Sequence, residues 1–305
     1  MDERNAHPIE KILCATDFSE TAELALRYAA SLARLHHAEL ILAHAVEATP
    51  MDPYPMPMAL PENDGSVTAL AFERLQDRAK GLAGSGLSIE TCLETGPPGP
   101  LLVEMANEKG VDLIVVGTRG WTGLKHLVFG STAEHIVRCA SCPVLTVHPN
   151  DQEPTETLRE VILATDLSPD AEAAVEAMIR LFPGGSPPRV VVAFADAAPP
   201  YLEALQVEGL NEWQRPDARI QDLERQLEPI LERLRERAIA SEVRILDRGA
   251  APAIVDLAEE RGSDLIVMST HGRSAIVNVL LGRTAQRVVQ HATCPVLTVR
   301  PPTRS

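Results

Sequence analysis

At 305 residues the chain is long for one hydrophobic core and comfortable for two of about 150 residues each. Apolar residues make up 45%, which excludes wholesale disorder; no apolar run reaches the roughly 20 residues that span a bilayer, and the first ten, MDERNAHPIE, lack the apolar stretch of a secretory leader, so a cytoplasmic protein is expected. A formal net charge of −15 argues against nucleic acid or an anionic membrane as partner, because those surfaces require clustered Lys and Arg, but it leaves room for a nucleotide held by main-chain N–H groups and a divalent cation.

The two halves repeat one another at an offset of about 150 residues. KILCATDFS at 11–19 returns as VILATDLS at 161–168, DLIVV at 112–116 as DLIVM at 264–268, and CPVLTV at 142–147 as CPVLTV at 294–299. Two copies of one α/β unit are therefore expected, at 1–148 and 158–305, joined by a polar, proline-flanked linker at 149–157.

Taken in order, each copy opens on a strand, 12–15 in the first, followed by a capped helix. Asp17 and Ser19 precede Ala22, Ala25, Leu26, Ala29 and Ala33 at helical spacing, while in the second copy Ser168 and Pro169 supply a cap and a helix-starting proline before Ala171, Ala174, Val175 and Met178. Strands at 40–45 and 190–195 follow. The proline- and methionine-rich stretch 51–61 then reads either as a surface loop or as a lid. A second helix is clearest at Ile220, Leu223, Leu227, Ile230, Leu231 and Leu234, with Pro229 expected to bend it. Strands at 88–93 and 242–246 lead to helices with Gly110 and Gly262 as C-caps.

The most informative stretch is 112–131, DLIVVGTRGWTGLKHLVFGS. Its apolar strand, buried on both faces, runs into Gly117, Gly120, Gly123 and Gly130, after which Ser131 to Glu134 has the pattern of a capping box. Strand ends, close-approach glycines and a helix N-terminus with unclaimed N–H groups together make a phosphate cradle. The plainer alternative is that the glycines end a strand and Ser131 caps a helix. Neither a GxxxxGK[ST] loop nor a GxGxxG after the first strand is present, which disfavours a P-loop enzyme or an ordinary dinucleotide dehydrogenase. With terminal strands at 144–147 and 296–299, each copy has five strands alternating with four helices, which predicts a doubly wound parallel sheet that binds ligand beyond the carboxyl ends of its strands.

The five cysteines form no disulfide framework. Cys139 and Cys142 have CxxC spacing but fall at the end of a helix, where a redox pair gains nothing from the helix N-terminus, and no second pair completes a zinc site. The nine histidines show no ligand spacing, so protein-held metal chemistry is not expected.

Gly117-x2-Gly120-x9-Gly130-Ser131, the ATD[FL]S segments and the CPVLTV strands together resemble the universal stress protein family, over nearly the whole chain and in tandem. The resemblance implies a Rossmann-like fold and, for the first copy, membership of the branch that binds ATP, with Mg²⁺ recruited through the phosphates. Ala15, Thr16, Asp17 and the backbone of Ala45 would face adenine and ribose; Gly117, Thr118, Arg119, Gly120, Gly130, Ser131 and Thr132 would hold the phosphates. Lys125, His126 and Trp121 could also reach the ligand or simply be solvated. In the second copy the corresponding residues are Thr165, Asp166, Ala195, Gly272, Gly282, Arg283 and Thr284, with Ser269 replacing the first glycine, so weaker binding or none is expected there. The implied function is a nucleotide-dependent stress regulator with slow hydrolysis or none. The alternatives are a nucleotide-independent scaffold whose terminal strands pair edge to edge as an internal pseudo-dimer, with a homodimer also open, and an adenylyl or phosphoryl transferase.

Overall fold

The computed structural model describes residues 8–47, 66–82, 86–119, 129–155, 157–168, 171–183, 187–195, 216–270 and 281–300. Gly120, Trp121, Lys125, His126, Gly272 and the 51–61 stretch lie outside them. The chain divides into two units, Met1–Pro154 and Thr155–Ser305.

The first unit runs β1 (Lys11–Ala15), α1 (Glu20–His36), β2 (Glu39–Val46), α2 (Ser66–Leu82), β3 (Ile89–Thr95), α3 (Pro98–Glu108), β4 (Leu113–Gly117), α4 (Ser131–Cys139) and β5 (Val144–Val147). Its strands lie in the order β3-β2-β1-β4-β5, all parallel. The order reverses between β1 and β4, so their carboxyl ends diverge into a crevice. The second unit repeats the plan with β6 (Glu160–Thr165), α5 (Ala171–Arg180), β7 (Arg189–Ala195), α6 (Pro216–Glu236), β8 (Ser241–Leu246), α7 (Ala250–Arg261), β9 (Leu265–Ser269), α8 (Arg283–His291) and β10 (Val296–Val299). Its order is β10-β9-β6-β7-β8, again parallel. Ile12, Leu13, Leu40, Leu42, Leu113 and Ile114 are fully buried, as expected of central strands covered on both faces, whereas the edge strand β3 is half-buried.

Much of the repeated sequence has a structural explanation. Asp112 Oδ2 accepts from the backbone N–H groups of Glu10 and Lys11 at 2.9 and 3.1 Å, and Asp264 Oδ2 does the same for Arg159 and Glu160 at 2.6 and 3.0 Å. Each aspartate thus ties the start of one central strand to its neighbour. The Thr-Asp pair after β1 and β6 folds a tight turn: Thr16 Oγ1 accepts from Phe18 N and Asp17 Oδ1 from Ser19 N, both at 3.0 Å, and Thr165 and Asp166 repeat these bonds at 3.1 and 3.0 Å. The turn holds Phe18 and Leu167 in the left-handed region, at φ 65° and 59°.

Three local expectations need correction. Ser131 is not the N-cap of α4; it is the first helical residue, and Gly130, extended at φ −73° and ψ 146°, occupies the cap without a side-chain bond. Ser19 caps α1 by accepting from Ala22 N, but Ser168 Oγ is buried with no partner among the described residues, so it makes no matching cap bond to them. Gly262 is the left-handed C-cap of α7, whereas α3 is capped by Lys109, with Gly110 left-handed one residue on. The helix α6 runs through Pro229 as one element.

The segment read as a linker is docked on the first unit for much of its length. Asp151 Oδ2 accepts from His148 N at 2.7 Å, Tyr28 of α1 donates its hydroxyl to the Gln152 carbonyl at 2.8 Å, and Arg27 pairs with Glu153 at 2.6 Å.

Candidate functional site

A cavity of about 520 Å³ opens at the crevice of the first unit, within the range of small-molecule sites. Four of the elements that converge on it carry the expected residues. The turn after β1 contributes Ala15, Thr16 and Asp17; β2 and its end contribute His44, Ala45 and Glu47; β4 and its exit contribute Val116, Gly117, Thr118 and Arg119; and the start of α4 contributes Gly130, Ser131, Thr132 and Ala133. Every residue expected at the first site, apart from Gly120 outside the described residues, lines this one cavity.

Close packing shapes the β4 side. A Cβ on Gly117 would stand 3.0 Å from Thr21 Cγ2 and 3.2 Å from the Thr21 backbone, so the missing side chain lets the start of α1 lie against the end of β4. Beyond it, Thr118 N donates to the Val147 carbonyl and the Thr118 carbonyl accepts from Gly130 N, both at 2.8 Å. The second bond pinches residues 118 and 130 together. A Cβ on Gly130 would come within 3.3 Å of that same carbonyl. Thr118 Oγ1 is buried with no partner among the described residues. Because Gly130 caps α4 without a side chain, no cap side chain claims the N–H groups of the first turn, and Ser131 is exposed beside them.

On the β2 side, His44 Nδ1 carries a proton and donates it to the Thr16 carbonyl at 2.7 Å, and its ring lies 4.6 Å from that of Phe18, tilted by 41°. Asp17 and Glu47 make the acidic part of the wall; Arg119 and the α4 N-terminus make the electropositive part. This layout suits an elongated ligand that is polar at one end and anionic at the other.

The sequence reading missed part of the wall. Pro97, Pro98, Gly99, Pro100 and Leu102 come from the β3–α3 turn and the start of α3, and His135 from the second turn of α4. The density of proline and glycine in TGPPGP was visible, but its place at this cavity follows only from the strand order.

In the second unit the frame persists while the side chains differ. Thr270 N donates to Val299 O at 2.8 Å and Gly282 N to Thr270 O at 2.9 Å, matching the pinch in the first unit. Ser269 ends β9, Arg283 is the exposed first residue of α8, Thr284 follows half-buried, and Ala195 ends β7. Thr165 and Asp166 form the turn already described.

Together these features define a doubly wound, open-crevice α/β fold present twice in the chain. The universal stress protein family model matches residues 8–148 and again 157–300, and the chain belongs to that family. A universal stress protein of Mycolicibacterium smegmatis is 28% identical over 95% of this chain and 97% of its own. The crystal structure of one from Archaeoglobus fulgidus superposes with a TM-score of 0.69 over 96% of this chain and 97% of that chain, at 18% identity. A universal stress protein solved in complex with cAMP aligns with 47% of this chain and 99% of its own, at 26% identity and a TM-score of 0.36.

Proposed function

We propose that the first unit binds ATP and that the chain acts as a nucleotide-dependent stress-response regulator. The observation that carries this reading is the convergence of the β1, β2 and β4 ends and the uncapped start of α4 on one cavity. Adenine and ribose would lie against residues 15–17 and Ala45, and the phosphates against residues 117–119 and 130–132. Asp17 and Glu47 repel phosphate and so set the direction of the ligand, while the α4 N–H groups and the Ser131 hydroxyl offer donors at the other end. Bound phosphates would bring Mg²⁺ with much of its water shell. Among the described residues of the lining no nucleophile is hydrogen-bonded to a general base, and in this reading any hydrolysis is slow.

The second unit binds weakly or not at all in this reading, because Ser269 adds a side chain at the first glycine position and Arg283 removes the hydroxyl. One observation favours the rival scaffold reading: Thr16, Asp17 and Gly117 already have structural work, and the Thr-Asp turn recurs in the second unit. Mass spectrometry of small molecules released from the purified, denatured protein separates the two. The regulator reading predicts adenine nucleotide in that extract, and a rise of several degrees in unfolding temperature when ATP is present at about 100 times its dissociation constant. An extract free of nucleotide together with an unshifted melting curve supports the scaffold.

A further inference from the structure

His135 stands one turn beyond Ser131 on the same face of α4 and lines the same cavity. Opposite it α3 carries Gly99, where a Cβ would stand 2.8 Å from both Cβ and Cγ of His135. The two helices therefore meet closely here only because that side chain is missing. Arg138 Nη2 lies 3.4 Å from His135 Nδ1. A guanidinium can only donate, so Nδ1 is the acceptor and the ring proton resides on Nε2. Burial first, and the Arg138 charge second, hold the ring below the ordinary histidine range, so it is neutral in the empty cavity at physiological pH.

We propose that His135 is a further phosphate-binding residue of this cavity, donating Nε2–H to the anionic end of the ligand and taking up a proton on Nδ1 as that anion binds. The proposal rests on the nucleotide reading above. The proton comes from the buffer, and the Arg138 hydrogen bond to Nδ1 gives way to it. Besides Arg138 on the same helix, the charged or titratable groups of the cavity wall among the described residues are Asp17, His44, Glu47 and Arg119, and the α3 residues of the wall carry no charge. With the cavity empty, the two carboxylates do not outweigh burial and Arg138; a polyphosphate beside the ring would reverse the balance. The second unit has Arg287 and Ala251 at the matching positions, so the device belongs to the first unit alone.

The test is calorimetric titration of ATP into the full chain, wild type, His135→Gln and Arg138→Met, between about pH 6 and pH 8 in buffers of different ionisation enthalpy, with ring NMR of the histidines alongside. ATP itself titrates in this range, so the difference between variants is what is read. Wild type should take up more protons than His135→Gln and bind about tenfold more tightly near pH 6, with the gap closing near pH 8. ATP should raise the midpoint of the His135 ring titration, and Arg138→Met should raise it without ligand. ATP binding with equal affinity and proton count in wild type and His135→Gln, or a ring titration that ATP leaves unmoved, overturns the proposal while leaving the nucleotide reading intact. The absence of ATP binding to wild type at any pH overturns both. Should His135→Gln fail to fold, the ring titrations of wild type and Arg138→Met decide alone.

Discussion

Single side chains in this protein carry two kinds of work, and the repeat separates them. Asp112 and Asp264 accept the same pair of backbone bonds in both units, so their job is structural. Asp112→Ala should cost about 1–3 kcal/mol, because the half-buried Lys11 N–H and the exposed Glu10 N–H lose a charged acceptor, measured as a lower urea midpoint of the first unit with the second unchanged. Gly99→Ala places a methyl against His135 and should weaken ATP binding by displacing the ring. The ring also gives a pH signature without ligand. Its lowered pKa means that the unfolded chain protonates more readily than the folded one, so stability is lost as pH falls below about 6.5. A melting series in His135→Gln should be flatter through that window.

Among the elements, helix starts distinguish the two copies most sharply. Ser19→Ala removes the bond from Ala22 N and should destabilise the first unit by about 1 kcal/mol. Ser168→Ala, at the matching position, removes a buried hydroxyl that has no partner among the described residues and should be neutral or slightly stabilising in the same thermal assay. The alternation of strands and helices, the terminal strands and the α1 cap were legible in sequence because each rests on local spacing. The α4 cap was misplaced by one residue because Gly and Ser are both acceptable at that position, and only the extended backbone of Gly130 decides between them. His44, Glu47 and the 97–102 stretch could not be read as cavity wall, since they belong to neighbouring strands whose side-by-side placement is a property of the β3-β2-β1-β4 order. His135 was legible only in retrospect, as the i+4 partner of Ser131.

At the scale of the molecule, the repeat gives two similar frames with unequal chemistry. Both units fold the Thr-Asp turn and make the same two backbone bonds after the fourth strand. They differ at Gly117 against Ser269 and at Ser131 against Arg283, which are cavity positions in the first unit. One ATP per chain is therefore expected. Ser131→Glu isolates binding from folding: a carboxylate at the first position of α4 interacts favourably with the helix dipole, by about 0.3–1 kcal/mol, yet it faces the proposed phosphates with like charge. The most direct measurement is isothermal titration of ATP into wild type and Ser131→Glu, with the melting temperature of each recorded. The account predicts one equivalent bound by wild type, affinity roughly tenfold or more weaker in Ser131→Glu, and an unchanged or raised melting temperature. Two equivalents per wild-type chain, or equal affinity in both proteins, would contradict it.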